Sequence, residues 1–159
     1  RGTPLMLQLL AWYFGPFYLF GLNIGHWRFP ALIIGFVVNY AAYFAEIYRG
    51  GIESIPVGQY EAAEVLGYSR TQTFMKIILP QVIKIIMPSV TNEVITLVKD
   101  TSLARMISVY EIIWAGQAFI KSDGLLWPLF YTGAFYLVFS GLLTIMFGKL
   151  EKKLDYFRG

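Results

Sequence analysis

The chain has 159 residues, 57% of them hydrophobic, 18% aromatic and only 14% charged, where a soluble domain carries roughly 25% charged residues. Too little charge remains to cover a water-facing surface, so the composition points to a membrane protein. The net charge of +3 gives no footing for nucleic acid, the absence of cysteine removes disulfides and thiolate metal sites, and the single His26 cannot build a histidine metal cluster.

The first apolar stretch, Pro4–Leu22, carries no charge, and Gly15–Pro16 is expected to end or kink it. His26-Trp27-Arg28 follows as an interfacial group. Phe29–Ala45 is again free of charge, with Glu46 at its end. Pro80–Val98 holds only Lys84 and Glu93, and Pro88 is expected to kink it. The segment Lys99–Asp123 reads as a loop, within which Arg105–Asp123 is expected to form an outer gate with a short helix near Val109–Phe119. Leu125–Phe147 closes the series without a charge. A spanning helix needs about 17 to 25 residues, and a backbone in lipid must satisfy its own hydrogen bonds, so four transmembrane helices are expected. Gly133, Gly141, Thr144 and Gly148 in the last one would allow close helix packing.

Arg49, Arg70, Lys76 and Lys84 cluster in one linker, and Lys149, Lys152, Lys153 and Arg158 in the tail. The positive-inside rule puts both in the cytoplasm, with the C-terminus there too.

The cytoplasmic segment Ile52–Pro80 carries the local signals. Pro56 suits a first helical turn, and Glu61-Ala62-Ala63-Glu64-Val65-Leu66 are mostly good helix formers. Gly67 suits the left-handed position past a helix end. Ser69 with Gln72 forms a capping box, which starts a second helix near Arg70 and carries it to Leu79, with Pro80 opening the next span. Ala62 and Ala63 beside Glu61 would let a partner approach the backbone closely. A plain amphipathic connector fits the same physics.

The string from Glu61 to Pro80 resembles the EAA motif of ABC-importer permeases: Glu-Ala-Ala, three residues, Gly, nine residues, Ile-x-Leu-Pro. Glu61, Ala62, Ala63, Gly67, Ile77, Leu79 and Pro80 match position by position. The segments Arg1–Leu5, Ala45–Ile52 and Asn92–Leu103 resemble those of the polar amino acid permeases. The resemblance implies an all-α polytopic fold of five spans, of which this chain would hold spans two to five and lack the first. Residues 1–159 would then form a single permease domain, with 52–80 as its coupling loop. It further implies residence in the plasma membrane of a prokaryote and three partners: an ATP-binding ABC subunit, a second permease subunit, identical or paralogous, and an extracytoplasmic solute-binding protein. Glu61, Ala62, Ala63, Glu64 and Gly67 would couple to the ATPase. No cofactor is implied, and without a Gly-rich phosphate loop the chain is not itself the ATPase. The solute would be a polar amino acid. Cystine or an opine-like compound is the alternative, as is a non-transporting scaffold, although a scaffold has no reason to carry the seven matched positions.

Polar residues within spans are functional suspects. Asn39 and Glu46 lie seven apart on one helix face, Asn92 and Lys99 seven apart on another, with Glu93 adjacent. For a zwitterionic amino acid Lys99 could serve the carboxylate, and Glu93 or Asn92 the ammonium. Blander roles compete: Glu46 pairing with Arg49, Lys99 and Asp100 at the outer interface, Glu93 within helix packing. A membrane enzyme is disfavoured, since no nucleophile–base or metal constellation is apparent.

Overall fold

The computed structural model describes residues 2–154, leaving Arg1 and Arg158 outside the described residues. These residues form α-helices α1 (Leu5–Phe20), α2 (Arg28–Glu53), α3 (Val57–Val65), α4 (Arg70–Thr73), α5 (Leu79–Asp100), α6 (Ile112–Asp123) and α7 (Trp127–Leu154). A π-helical turn, Phe74–Ile78, joins α4 to α5, and a 3-10 segment, Thr101–Ile107, follows α5. No strand occurs among the described residues. Arg28–Glu53, Arg70–Ile107 and Trp127–Leu154 are each long and apolar enough to cross a membrane. The 16 residues of α1 fall short of the expected fourth span; at about 1.5 Å per residue they reach roughly 24 Å against a hydrocarbon core of about 30 Å.

The chain packs as two compact units. The first joins the residues up to Ala42 with Val94–Leu143; the second joins Tyr43–Glu93 with the chain from Thr144 onward. In the first unit, Leu5, Leu9 and Tyr13 recur every fourth residue and bury one face of α1. Leu9 lies over Gly35 of α2, where an added Cβ would come within 2.7 Å of its Cδ2. α1 also packs on the 3-10 segment, whose Ala104 and Ile107 are buried. The Tyr40 hydroxyl donates to Asp100 Oδ2 at 2.8 Å and ties α2 to the end of α5.

Of the two outcomes expected at Gly15–Pro16, a helix end or a kink, the end does not occur. α1 runs through Pro16 and ends only at Gly21, at φ +63°. Pro16 lacks the N–H that would bond the Trp12 carbonyl one turn back. That carbonyl accepts instead from the indole Nε1 of Trp27 at 2.9 Å, so a tertiary donor replaces the missing helical one. α5 likewise runs through Pro88.

The stretch expected as the loop after Val98 is largely helical. Lys99 and Asp100 end α5, and the 3-10 segment carries the helix on to Ile107. Ser108 then takes a left-handed φ of +58°, where its N–H donates to the Arg105 carbonyl at 3.0 Å and that of Val109 to Ala104 at 3.2 Å. α6 begins three residues later than expected because Glu111 caps it: its carboxylate accepts from the backbone N–H groups of Ile113 and Trp114, both at 2.7 Å.

In the second unit Ile55, Ile78 and Val82 form the core, with Ile77 and Ile86 packed on it. A Cβ at Gly51 would overlap Cγ2 of Ile86 and lie 3.2 Å from Cγ1 of Val82. The glycine therefore sets how closely α2 and α5 approach here. Gly133, Gly141 and Gly148 of α7, by contrast, face open space within this chain, so the expected close packing there is not made by the described residues.

Candidate functional site

The segment from Pro56 to Leu79 forms two short helices around a tight turn. Pro56 sits one position outside α3 rather than in its first turn, in an extended conformation at ψ 138°. After Val65 the chain turns at Gly67, at φ +76°. The Gly67 N–H donates to the Glu64 carbonyl at 2.9 Å and the Tyr68 N–H to Ala63 at 3.0 Å, the pair of bonds of a Schellman cap. Ser69 then caps α4: its Oγ accepts from the Gln72 N–H at 3.4 Å, while Gln72 Oε1 accepts from the Ser69 N–H at 2.9 Å. The sequence locates both the turn and the cap correctly.

The second helix does not stop at Leu79, however. It continues into α5 through the π-turn, in which the Leu79 N–H reaches back to the Phe74 carbonyl. This wider turn precedes Pro80 and accommodates its ring without a break.

Side-chain exposure divides the five candidate coupling residues. Glu61, Ala62, Glu64 and Gly67 are exposed. Ala63 is 1% exposed and belongs to the interior, not to the outer surface expected for it. Its small side chain lets α3 lie close to α4 and the π-turn, the two elements it packs against. Val57, Val65 and Leu66 are exposed apolar residues, with Val65 at 87%. The hairpin is anchored from beneath by buried Ile55 and Ala63, and Gln81 Nε2 donates to Gln59 Oε1 at 3.3 Å. On α3 the exposed residues Val57, Glu61 and Val65 are spaced four apart and share one edge, on a mount fixed at several points.

Removing the cap is expected to loosen the mount without altering its outer face. Ser69→Ala leaves the first amide groups of α4 uncapped and is expected to cost about 1 kcal/mol. Faster hydrogen exchange confined to residues around Arg70–Thr73 checks this.

The polar candidates within the spans fare differently. Asn39 is buried and Lys99 exposed, both in the first unit; Asn92 is exposed and Glu93 partly buried in the second. Within each unit, no hydrogen bond among the described residues joins the pair. The bonds between helices are made by their chain neighbours instead: Tyr40 with Asp100, and the Thr91 hydroxyl with Glu151 Oε1 at 2.9 Å. Each of these pairs is 60 residues apart, and no local sequence signal joins them. Glu46 is bonded to Arg49, whose guanidinium also lies 3.7 Å from Glu53, so the local ion-pair reading of Glu46 is the one realised. Among the described residues no group of three or more His, Cys, Asp or Glu could hold a metal.

Residues 1–156 match the family model described as the binding-protein-dependent transport system inner membrane component. The arginine transport system permease protein of Bacillus subtilis is 39% identical over 97% of this chain and 70% of its own length. The L-cystine transport system permease protein of the same organism is 37% identical over 98% of this chain and 66% of its own. The octopine transport system permease protein of Rhizobium radiobacter is 36% identical, over 95% and 64% respectively. The crystal structure of an amino acid ABC transporter with histidines superposes with a TM-score of 0.84 at 32% identity, covering 96% of this chain and 71% of that one. The chain therefore spans roughly two thirds of the length of these relatives.

Proposed function

The chain belongs to the inner-membrane permease family of binding-protein-dependent ABC transport systems, and from that premise we propose that it forms the membrane pathway of a polar amino acid importer, with α3 as the element that engages the ATPase. The observation that carries this reading is the α3 hairpin: an exposed edge on which Val57 and Val65 flank Glu61, with exposed Leu66 at the helix end, on an anchored base. An edge of this kind suits a protein groove. ATP is hydrolysed on the separate ABC subunit. Its closure moves α3, and the spans respond by exposing the solute path alternately to the two sides. A second permease subunit, identical or paralogous, completes the pathway, and a solute-binding protein delivers cargo from outside. The α3 hairpin and the C-terminus face the cytoplasm, and residues 1–159 act as one permease domain. Relatives named for arginine, cystine and octopine transport support an amino acid or amino acid derivative as the solute.

These 159 residues hold no cysteine, so a cysteine introduced among them is unique within the segment. A single cysteine at Leu66 in the full-length permease is expected to cross-link to the ATPase subunit in membranes, whereas one at Phe139, on α7, is not. A Leu66 position that never reaches the ATPase would remove the coupling assignment. Within the solute path, Asn39, Asn92, Glu93 and Lys99 are the groups we assign to solute, with Lys99 facing the carboxylate. Lys99→Ala is expected to raise the apparent transport constant about tenfold, the effect of losing one charge-assisted hydrogen bond. Unchanged uptake kinetics would take Lys99 off the path.

A further inference from the structure

In the unit that contains α3, a cavity of about 350 Å³ lies between α5 and the last turns of α7. Small-molecule sites commonly measure about 300–1,000 Å³. α5 lines it with Lys84, Met87 and Pro88, and α7 with Gly148, Glu151 and Lys152. The hydrogen bond from Thr91 to Glu151, at 2.9 Å, holds the two helices together beside it. Gly148 leaves the room: an added Cβ there meets nothing within 4 Å.

Charge and depth together indicate the occupant. Among the described lining residues two ammonium groups stand against one carboxylate, an excess of one positive charge that favours an anion. Lys84 also interacts within the chain, so Lys152 supplies the charge most directly available. α7 is free of charge from Trp127 to Gly148, and Lys149, Glu151, Lys152 and Lys153 then follow. That charge-free stretch is about 33 Å long at 1.5 Å per residue, close to the thickness of the hydrocarbon core. The cavity therefore lies where the helix leaves the hydrocarbon for the headgroup layer. Ile85, Ile145 and Met146, near it in sequence, are exposed apolar side chains suited to acyl chains.

We propose that this cavity binds the headgroup of an anionic phospholipid, with the phosphate between Lys84 and Lys152 and headgroup hydroxyls donating to Glu151. Phosphatidylglycerol matches this chemistry: one negative charge, two hydroxyl donors and no ammonium of its own. Basic pockets between transmembrane helices at the membrane surface recognise lipid headgroups by the same means. The inference depends on membrane residence and not on which solute is carried.

The test uses the full-length permease assembled with its partners and extracted from vesicles of equal phosphatidylglycerol and phosphatidylcholine. Retained lipid is read by native mass spectrometry, and affinity by titrating delipidated protein with phosphatidylglycerol. Lys152→Gln is expected to weaken phosphatidylglycerol about tenfold, as the loss of one charge-assisted hydrogen bond does. Gly148→Leu, which fills the cavity and is the better helix former, is expected to weaken it at least as much while the protein stays folded. Lys153→Gln, outside the cavity, is expected to leave it unchanged. Equal losses from Lys152→Gln and Lys153→Gln would mean diffuse surface attraction and overturn the proposal. So would full retention in Gly148→Leu, preference for phosphatidylcholine, or displacement of the lipid by inorganic phosphate at concentrations that match its own binding.

Discussion

A full-length permease carrying Glu61→Lys is expected to insert, fold and pair as the parent does, yet to lose most ATP-driven uptake. Glu61 is exposed on α3 and makes no contribution to the Ile55, Ile78 and Val82 core, so the change leaves the mount intact. It replaces a carboxylate with an ammonium at the centre of the proposed contact surface. Disruption of a central contact residue commonly costs about 2 kcal/mol or more, roughly thirtyfold in affinity, and a juxtaposed like charge adds to that. Uptake into proteoliposomes is expected to fall at least tenfold, while the detergent-solubilised permease keeps its melting temperature. Gly67→Leu approaches the same end by another route. Nothing lies within 4 Å of a Cβ at Gly67, so no clash results. The left-handed φ of +76° is the obstacle, because a side chain there costs about 1–2 kcal/mol. Relief of that strain would open the cap and re-aim α3. Normal uptake by both variants would refute the coupling role.

The second large effect lies in the last turn of α2. Gly51→Leu is expected to destabilise the permease itself, lowering both its yield and its melting temperature. The first atom of any side chain at Gly51 overlaps Cγ2 of Ile86. That methyl is a β-branch on a helix, with one strongly preferred rotamer, and cannot swing aside. The helices must separate instead, at a cost of about 1–3 kcal/mol for an overpacked core, and more for a side chain of this size. Gly50→Ala provides the control, since a Cβ there meets nothing within 4 Å. A melting temperature equally unaffected by both changes would show that Gly51 does not set the helix approach.

Local signals in the sequence proved sound where the physics is local. The Gly67 turn and the Ser69–Gln72 box depend on residues within five positions of each other, and both form as expected. The three long apolar helices follow from long stretches that carry few charges. Expectations failed where a distant group intervenes. At Pro16, where the sequence allows an end or a kink, the end is avoided because Trp27 donates to the carbonyl that the proline orphans. Pro80 reads as a boundary, yet the π-turn before it lets the helix pass. Ala62 and Ala63 are chemically identical in the motif, but one is exposed and the other buried. Only the direction from which α4 and the π-turn approach tells them apart. Tyr40–Asp100 and Thr91–Glu151 are likewise products of the tertiary fold.

The indole bond from Trp27 to the Trp12 carbonyl carries a genetic consequence. Pro16 creates the need for an outside donor, and Trp27 meets it, so neither position has a fixed worth of its own. Losing the indole matters most in a background that keeps the proline. Restoring a backbone N–H at position 16 would turn Trp27 into an ordinary interfacial aromatic. The two sites are therefore expected to drift as a linked pair: in lineages where position 16 is no longer proline, the constraint on position 27 relaxes, and reverting one without the other is the harmful step.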